Sequence, residues 1–278
     1  MTAVRSVATV STVGLLCKAF FGLRLASISA HGLPNLLDAL NSEERRKSGR
    51  GIVTVANHIS TLDDPVAWAV LPTSCYLRSD TTRWSLGASD IMFTNPFFST
   101  FFRLGQVLET FRGEGIYQPT IDTAIDKLNT GSWIHLFGEG KVNQHTDAHH
   151  LPRFKWGVGR MLMESAQPPI VIPMWLTGFN QLMPERRPFP YKYFPRFGTQ
   201  LSVTFGEPLP EDFVRKLMIP SLESDRKVVL GDEEGATDEK RLVGGELDRV
   251  REKVTARIHD AVEELGKKVL ESTPDSLP

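Results

Sequence analysis

A histidine and an aspartate five residues apart form the pair of side chains in this sequence that is best suited to proton transfer. They are His58 and Asp63, in the motif NHISTLDDP at residues 57–65. On a continuous helix the two side chains would point ~140° apart, so they can meet only if the chain turns between them. A β-branched run ends near Ala56 and Pro65 suits a first helical turn, so the sequence predicts a strand, a turn and a helix. An imidazole held by a carboxylate in such a turn can take a proton from an alcohol.

The same residues also have a purely structural explanation. Asp63-Asp64-Pro65 has the composition of an ordinary helix start, in which an aspartate caps backbone N–H groups. The segments that accompany the motif decide between the two explanations.

The first accompanying segment is TFRGEG at residues 110–115. Arg112 lies there between an apolar run and Gly113, and a guanidinium beside glycines suits a fork that binds phosphate with close approach of the backbone. A solvated arginine in a glycine turn has the same composition, so both interpretations stay open at this point.

The second segment, IHLFGEGKVN at residues 134–143, predicts a buried strand that ends in a glycine-flanked turn. The turn carries Glu139 and Lys141, and α/β proteins place ligands at loops that follow strand ends. The third segment, IVIPMW at residues 170–175, predicts a strand that is either a pocket wall or a plain part of the core.

These four motifs, in this order and with these spacings, resemble the glycerolipid acyltransferase superfamily, and within it the tafazzin family. The resemblance covers about residues 50–210. One departure is FGEG at residues 137–140, where the superfamily usually has FPEG, because Gly138 loosens φ where a proline would restrict it. The segments that match the tafazzin family are NHISTLDDP at 57–65, FRGEGIYQ at 111–118, GKVN at 140–143, RFKWGVGR at 153–160 and YFPRFG at 193–198.

The resemblance implies that His58 is a general base and that Asp63 holds its imidazole in the correct tautomer. Histidine suits this task because its ordinary pKa, ~6.5, lies near neutral pH. No Gly-x-Ser-x-Gly motif occurs, so direct attack of a lysophospholipid hydroxyl on the donor ester is the simplest mechanism. A transient stage in which water or a small carrier accepts the acyl group stays open as the alternative. The resemblance also implies a set of residues that bind the glycerol-phosphate headgroup: Asn57, Arg112, Gly113, Glu139, Gly140 and Lys141.

The activity that the resemblance implies is CoA-independent transfer of acyl chains between phospholipids and lysophospholipids, without a cofactor. Phosphatidylcholine would be a donor and monolysocardiolipin an acceptor, so that cardiolipin is remodelled. The implied location is the mitochondrial membranes, facing the intermembrane space. Two alternatives use the same motifs: an acyl-CoA-dependent lysophospholipid or glycerol-3-phosphate acyltransferase, and a catalytically silent membrane-binding scaffold.

The overall composition excludes several other classes of partner. The 32 basic and 33 acidic side chains give a formal net charge of −1, so no global positive field attracts nucleic acid. Cys17 and Cys75 are too few and too far apart in the chain for a disulfide framework or a zinc site. The segment QHTDAHH at residues 144–150 resembles a metal cluster, but its polar loop context favours a solvated segment, so no metal site is predicted.

Strands that alternate with helices predict an α/β fold, with a central, mostly buried sheet flanked by helices, like that of glycerol-phosphate acyltransferases. The predicted strands are residues 51–56, 134–137, 169–175 and 201–205. The predicted helices are residues 64–71, 119–130 and 157–166, with an amphipathic C-terminal helix at 242–270. The chain divides into a membrane-associated helical segment at 1–48, an acyltransferase domain at 49–219, a flexible charged insertion at 220–241, and a C-terminal helix and tail at 242–278. Proline-rich and aromatic residues predict an irregular, packed loop at 182–198.

Two apolar segments are candidates for membrane contact. Residues 7–28 are apolar but are interrupted by Lys18 and Arg24. Three interpretations stay open: a cleaved signal peptide, a buried core helix and a helix in the bilayer interface. The last is favoured, because the basic residues can then reach the headgroups. Residues 91–108 contain four rings that would share one helix face, either in the core or against a membrane: Phe97, Phe98, Phe101 and Phe102. Together the two segments predict a monotopic protein on a membrane surface.

Overall fold

A seven-stranded sheet forms the centre of the protein in the computed structural model, which describes residues 2–145, 150–217 and 239–272. The strands are β1 (Ser27–His31), β2 (Ile52–Ala56), β3 (Trp84–Ala88), β4 (Val107–Thr110), β5 (Trp133–Phe137), β6 (Ile170–Thr177) and β7 (Gln200–Phe205). Their order in the sheet is β1-β7-β6-β2-β5-β3-β4. The strands from β6 to β4 are parallel, whereas β7 is antiparallel to β6 and pairs with β1 in parallel.

Helices cover both faces of this sheet, which confirms the predicted α/β fold. In chain order they are α1 (Thr2–Gly22), α2 (Leu33–Asn41), α3 (Glu43–Ser48), α4 (Asp63–Ala67), α5 (Thr73–Tyr76), α6 (Ser89–Met92), α7 (Pro96–Leu104), α8 (Pro119–Asn129), α9 (Gly157–Glu164), α10 (Phe179–Leu182) and α11 (Glu239–Ser272). Side chains of α8, α9 and α11 pack on one face. Those of α1, α2, α4 and α10 pack on the other.

The central strands are buried on both faces, which explains their continuous apolar sequences. All five residues of β2 are buried. Val53 and Ile134 pack towards α8, α9 and α11, whereas Ile52 and Ile172 pack towards α2 and α4. The sheet therefore separates two apolar cores and gives the loops at its edges a rigid base.

The strands and helices predicted with the strongest apolar patterns are present. The predicted strands correspond to β2, β5, β6 and β7, and the predicted helices at 119–130 and 157–166 correspond to α8 and α9. The helix predicted at 64–71 is shorter, because α4 ends at Ala67 and continues as a 3-10 turn over Trp68–Val70. The sequence does not predict β1, β3 and β4, because these strands are short and lack a continuous apolar run. β1 is mostly exposed, and β3 and β4 mix apolar with polar residues.

The N-terminal 48 residues differ from the prediction of one helical, membrane-associated segment. α1 ends at Gly22, and residues 27–31 form β1 at the edge of the sheet. Leu36 and Leu40 of α2 are almost fully buried in the core. The helical prediction therefore applies to α1, whereas the rest of this segment belongs to the folded body. The proposed chain divisions at 48, 219 and 241 stay predictions.

Two other segments also differ from the sequence-based expectation. Residues 91–108 are not one helix, because Asn95 caps a new helix with its side chain and Pro96 occupies the first turn of α7. The loop predicted to be packed at 182–198 instead exposes five aromatic side chains: Phe189, Tyr191, Tyr193, Phe194 and Phe197. Residues 218–238, which hold most of the predicted charged insertion, lie outside the described residues.

Candidate active site

The carboxyl ends of β2, β5, β3 and β4 lie at one edge of the sheet, because these four neighbouring strands are parallel. His58 follows β2, Glu139 follows β5 and Arg112 follows β4. In parallel sheets this edge is where ligands bind. The fold thus brings three motifs that are far apart in the chain to a common edge.

His58 and Asp63 are in direct contact. Nδ1 of His58 lies 2.9 Å from Oδ2 of Asp63. The same oxygen accepts hydrogen bonds from the backbone N–H groups of Ile59 and Ser60 at 2.7 and 2.8 Å. Asp63 is the first residue of α4, but these N–H groups precede the helix, so the carboxylate does not act as an ordinary helix cap. Residues 58–63 instead form a turn in which one carboxylate oxygen of Asp63 contacts two backbone N–H groups and the imidazole of His58.

Burial dominates the electrostatics of this pair. Asp63 is fully buried, and its other oxygen, Oδ1, has no hydrogen-bond partner among the described residues. Burial raises the pKa of the Asp63 carboxyl, and the hydrogen bond and charge of His58 oppose that rise. At 2.9 Å from Nδ1, the Asp63 carboxylate lies close enough to balance a positive charge that develops on the ring during proton transfer. This is the electrostatic arrangement that a general base needs when it takes up a proton.

The orientation of the His58 ring leaves one nitrogen for chemistry. Its face stacks on Phe137, with 4.0 Å between ring centroids and 16° between the planes. Because Nδ1 faces a carboxylate oxygen, we assign the proton of the neutral ring to Nδ1. Nε2 then carries the lone pair that can accept a proton. The His58 side chain is 19% exposed, so reactants have access to it.

Glu139 holds the main chain of His58. Its Oε1 accepts a hydrogen bond from the backbone N–H of His58 at 2.9 Å, and the Glu139 side chain is buried. The backbone carbonyl of His58 accepts a second hydrogen bond from the N–H of Asn143 at 2.7 Å. The loop after β5 thus bonds both the N–H and the carbonyl of His58, which follows β2. Glu139 contacts the backbone of His58, and its role in headgroup binding stays a prediction.

Asn57 links two strands. Its side-chain amide donates to the carbonyl of Leu176 at 3.0 Å and accepts from the N–H of Leu176 at 2.8 Å. The backbone pairing of β2 with β6 ends at Pro173, so the Asn57 amide extends it beyond the proline. Asn57 is buried, and these contacts join the two strands next to His58. Its predicted part in headgroup binding stays a prediction.

The glycines of the loop after β5 have separate physical reasons. Gly140 has φ +70°, and its N–H bonds the carbonyl of Phe137 at 3.0 Å in a tight turn. A Cβ at Gly138 would lie 2.4 Å from the Phe154 ring. Phe154 thus fills the space next to the loop and explains why residue 138 is not a proline here. Lys141 follows this turn and is exposed.

Arg112 lies on the same edge but away from the pair. β4 is three strands from β2, about 14 Å at the usual strand spacing. The Arg112 guanidinium is half exposed and lies 3.4 Å from a carboxylate oxygen of Asp90. Its loop is closed by the buried Gln118 side chain, which accepts from the N–H of Phe111 at 2.9 Å and donates to the carbonyl of Gly115 at 2.7 Å.

Two arginines of α9 and α11 hold the Arg112 loop through Tyr117, and we call this contact the Arg251 clamp. The sequence analysis did not identify it. Arg251 of α11 donates to the Tyr117 hydroxyl at 2.6 Å and lies 5.3 Å from the centre of its ring. Arg160 of α9 lies over the same ring at 4.9 Å. Glu164 accepts hydrogen bonds from both guanidinium groups at 3.0 Å. Since these residues are far apart in the chain, no local pattern could have revealed the clamp.

Next to Asp63 in the chain, Asp64 belongs to a separate group of polar side chains that includes Arg83 and the buried His135. Asp64 turns away from Asp63 and accepts hydrogen bonds from Nε of Arg83 at 2.9 Å and from Trp68 at 3.1 Å. Burial opposes ionisation of Asp64, but Arg83 outweighs it and lowers the pKa. His135, inside β5, bonds the Thr54 hydroxyl at 2.8 Å, and burial lowers its pKa to about 3. A histidine within an otherwise apolar strand is the sequence feature that could have revealed these buried contacts.

One cluster on α11 has the residue types of a metal site. Ligand atoms of His259, Asp260 and Glu263 lie within 4.8 Å of one another. However, Nε2 of His259 bonds the carbonyl of Leu151 at 2.9 Å, and Lys267 already supplies a positive charge to Glu263 at 2.8 Å. A surface ion-pair network therefore accounts for the cluster. The histidine-rich segment at 144–150 lies partly outside the described residues.

Several known proteins are similar to this chain in sequence. A tafazzin of Dictyostelium discoideum is 38% identical over 195 residues, which are 70% of this chain and 66% of that protein. A tafazzin of Drosophila melanogaster is 42% identical over 174 residues, 62% of this chain and 44% of the relative. An N-acylphosphatidylethanolamine synthase of Arabidopsis thaliana is 40% identical over 189 residues, 66% of this chain and 63% of the relative. The chain thus spans less than two thirds of the length of each.

A solved structure shares the fold. It is the crystal structure of the 1-acyl-sn-glycerophosphate acyltransferase PlsC from Thermotoga maritima, with a TM-score of 0.52 and 16% sequence identity over 81% of each chain. At this identity the likeness concerns the fold alone, and it confirms the predicted acyltransferase-like architecture.

The Acyltransferase family itself matches residues 39–177, half of the chain. The matched span contains the pair of His58 and Asp63, the loop of Arg112 and the turn of Glu139. These are the groups that the parallel strands bring to one edge of the sheet. The chain belongs to the acyltransferase family and is a relative of the tafazzins.

Proposed function

We propose that this protein is a CoA-independent transacylase that moves acyl chains between phospholipids and lysophospholipids, with His58 as the general base. The contact of 2.9 Å between the His58 imidazole and the buried Asp63 carboxylate carries the proposal. The similarity to tafazzins supports the choice of lipid substrates.

The reaction exchanges one carboxylic ester for another. Nε2 of His58 takes the proton of a lysophospholipid hydroxyl, and that oxygen attacks the ester carbonyl of the donor phospholipid. The donor oxygen leaves and receives the proton from the imidazolium, so a new phospholipid and a new lysophospholipid form. The free-energy change is near zero because the ester broken and the ester formed are similar. Asp63 stabilises the imidazolium between the two proton transfers.

We assign headgroup binding to the exposed cations at the sheet edge. Arg112 and Lys141 present positive charges at loops that follow β4 and β5. Gly113 and Gly140 let the backbone of these loops approach a phosphate closely. In this proposal Asn57 and Glu139 contribute to the headgroup site by holding its backbone in place. Asn57 bonds Leu176, and Glu139 bonds the N–H of His58.

The apolar helix α1 supports a monotopic position on a membrane. Val4–Gly22 is long and apolar enough to cross a bilayer, and only 6% of that stretch is buried. Yet side chains along α1 bond the body: Ser6 to the carbonyl of Leu104 at 2.8 Å, Ser11 to that of Tyr76 at 2.8 Å, and Lys18 to that of Ala69 at 2.9 Å. A crossing helix would break these bonds, so we infer that α1 lies in the interface.

The exposed rings of α7 extend this surface. Phe97, Phe98 and Phe101 are 75%, 45% and 40% exposed, and Phe102 is half-buried. α1 contacts both α7 and α4, and α4 carries Asp63. We infer that acyl chains enter from this side of the protein, where apolar surroundings would favour a lipid hydroxyl over water as the attacking group.

The resemblance to the tafazzin family implies a specific acceptor and location, and the name of one relative favours a second candidate. As in tafazzins, we propose cardiolipin remodelling with monolysocardiolipin as acceptor and phosphatidylcholine as donor, on mitochondrial membranes that face the intermembrane space. The Arabidopsis relative, named as an N-acylphosphatidylethanolamine synthase, favours a second candidate, acyl transfer to the amine of phosphatidylethanolamine. The same imidazole would serve as base for either acceptor.

Vesicles that contain acyl-labelled phosphatidylcholine, monolysocardiolipin and phosphatidylethanolamine, without CoA, test the proposal. We expect label in cardiolipin, with little free fatty acid. Strict dependence on added acyl-CoA would identify the CoA-dependent alternative, and label on the phosphatidylethanolamine amine would identify the second candidate. Free fatty acid as main product would indicate a phospholipase, and no transfer with any donor would indicate a scaffold. His31→Ala, an exposed histidine on β1, is the matched control for His58→Ala.

A further inference from the structure

The loop between α10 and β7 exposes an unusual amount of aromatic surface. Within residues 185–197, here called the aromatic loop, five rings are between 60% and 77% exposed: Phe189, Tyr191, Tyr193, Phe194 and Phe197. Rings on a soluble surface occur singly, whereas a contiguous group marks an interaction site. Nothing in the catalytic site requires this group, because the loop lies outside the contacts of His58 and Asp63.

The aromatic loop is also strongly basic. Residues 185–197 contain four cations and one carboxylate, a net charge of +3 in a chain whose total charge is −1. The cations are Arg186, Arg187, Lys192 and Arg196. Within the described part of the chain, none of them forms an ion pair with a carboxylate. Arg186, Lys192 and Arg196 are exposed, so their positive charges are available to an external anion. Arg187 is half-buried and bonds the carbonyl of Phe194.

The loop is held in shape by the body of the protein. The N–H of Arg196 bonds the carbonyl of Leu182 at 2.7 Å, and the N–H of Gly198 bonds that of Leu25 at 2.7 Å. The Gln144 side chain accepts from the N–H of Glu185 at 2.8 Å. Anchored at both ends and rich in proline, the loop presents its rings without first having to become ordered.

The aromatic loop adjoins α1. The ring of Phe197 lies 6.2 Å from that of Phe20, near the end of α1, whereas Ser6 near its start bonds α7. These two points are about 21 Å apart along the helix. The exposed apolar side chains of α1 between them include Leu15 and Leu16. α7, α1 and the aromatic loop thus form one extended surface with positive charge at one end.

We propose that the aromatic loop binds anionic phospholipid bilayers and makes membrane attachment selective for negative charge. Aromatic rings favour the boundary between headgroups and acyl chains, and the tyrosine hydroxyls remain in its polar part. Arginine and lysine beside them pair with lipid phosphates. This combination fits a bilayer better than an acidic protein, because the rings lie on a surface that continues into the apolar face of α1. The proposal is independent of the reaction at His58.

Flotation of the full chain with vesicles tests this proposal. One vesicle is phosphatidylcholine alone, and the other contains about one part in five of phosphatidylserine. We expect tighter binding to the anionic vesicle and loss of this preference at high salt, because salt screens charge but leaves apolar burial. The variant Arg186→Gln/Lys192→Gln/Arg196→Gln should bind anionic vesicles ten- to about a hundredfold more weakly. It keeps Arg187, which bonds the carbonyl of Phe194.

The matched control removes the same charge elsewhere. Arg249, Lys253 and Lys268 are exposed on α11, across the sheet from α1, and their replacement by glutamine should leave vesicle binding unchanged.

Phe189→Ser/Tyr191→Ser should weaken binding to both vesicles. Equal binding of the parent chain to both vesicles, or an equal loss in the α11 control, would overturn the proposal. Vesicle binding retained by the loop variant, with lost binding to polyglutamate, would assign the loop to an acidic protein instead. Transfer in neutral detergent should persist in the loop variants, which separates this test from that of the catalytic pair.

Discussion

The backbone N–H of His58 donates a hydrogen bond to the buried carboxylate of Glu139 at 2.9 Å. The glutamate of the second motif therefore positions the histidine of the first, because β2 and β5 are neighbours in the sheet and their ends coincide. The relationship separates two roles for Glu139 that the sequence alone does not distinguish, headgroup binding and support of the catalytic loop.

We expect Glu139→Gln to keep most of the activity and Glu139→Ala to lose most of it. The amide oxygen of glutamine can still accept from the His58 N–H, whereas alanine leaves that N–H unsatisfied at a cost of about 1–3 kcal/mol and frees the loop. Initial rates at several lipid concentrations, with circular dichroism for folding, measure this. If both variants lose activity equally through a raised KM, the Glu139 charge binds substrate instead.

Asp63→Asn is expected to reduce turnover by about 10²–10⁴-fold without unfolding the chain. The amide oxygen of asparagine can still accept from the N–H groups of Ile59 and Ser60, which keeps the turn. However, it no longer supplies a negative charge to the imidazolium of His58. His58→Ala should be at least as damaging. Near-normal turnover in either folded variant would contradict the assignment of the pair.

Burial of His135 should make stability depend on pH. Its pKa falls from 6.5 to about 3 in the native state, so between these values the unfolded chain binds a proton that the native chain does not. Stability is therefore lost as the pH falls from 6.5, with a slope of about 1 kcal/mol per pH unit from this group alone.

Urea unfolding of the chain and of His135→Gln between pH 7 and about pH 5 measures this effect. We expect the stability difference between the two proteins to shrink as the pH falls. Asp64 does not interfere, because its lowered pKa confines its contribution to more acidic solutions. A difference that stays constant across this range would show that His135 is not kept neutral by burial.

The clamp on Tyr117 should matter for substrate binding more than for the chemical step. Arg251→Met removes the hydrogen bond to the Tyr117 hydroxyl, so the loop that carries Arg112 loses its attachment to α11. We expect a several-fold higher KM for lysophospholipid with a small change in kcat, since His58 and Asp63 are untouched. Arg249→Met, exposed on the same helix, is the control. An unchanged KM in a folded Arg251→Met variant would show that the clamp does not position the loop.

Much of the architecture could be predicted from sequence because its signals are local. A strand buried on both faces must be apolar throughout, as β2 and β6 are, and an amphipathic helix such as α8 repeats its apolar residues at helical spacing. The separation of His58 and Asp63 by a turn followed from helix geometry together with Pro65. Edge strands such as β1 lack these signals, since an exposed edge accepts polar residues.

Within the site, the sequence by itself determined that His58 and Glu139 each follow the end of a buried strand, because both strands are continuously apolar or nearly so. Only the tertiary structure decided what each one touches. Glu139 bonds the His58 backbone and Asn57 bonds Leu176, because buried polar groups must be satisfied by whatever lies nearest in space. The Arg251 clamp and the exposed rings of the aromatic loop were likewise invisible in sequence. Contact and exposure depend on the packing of segments that are distant in the chain, and local spacing carries no information about that packing.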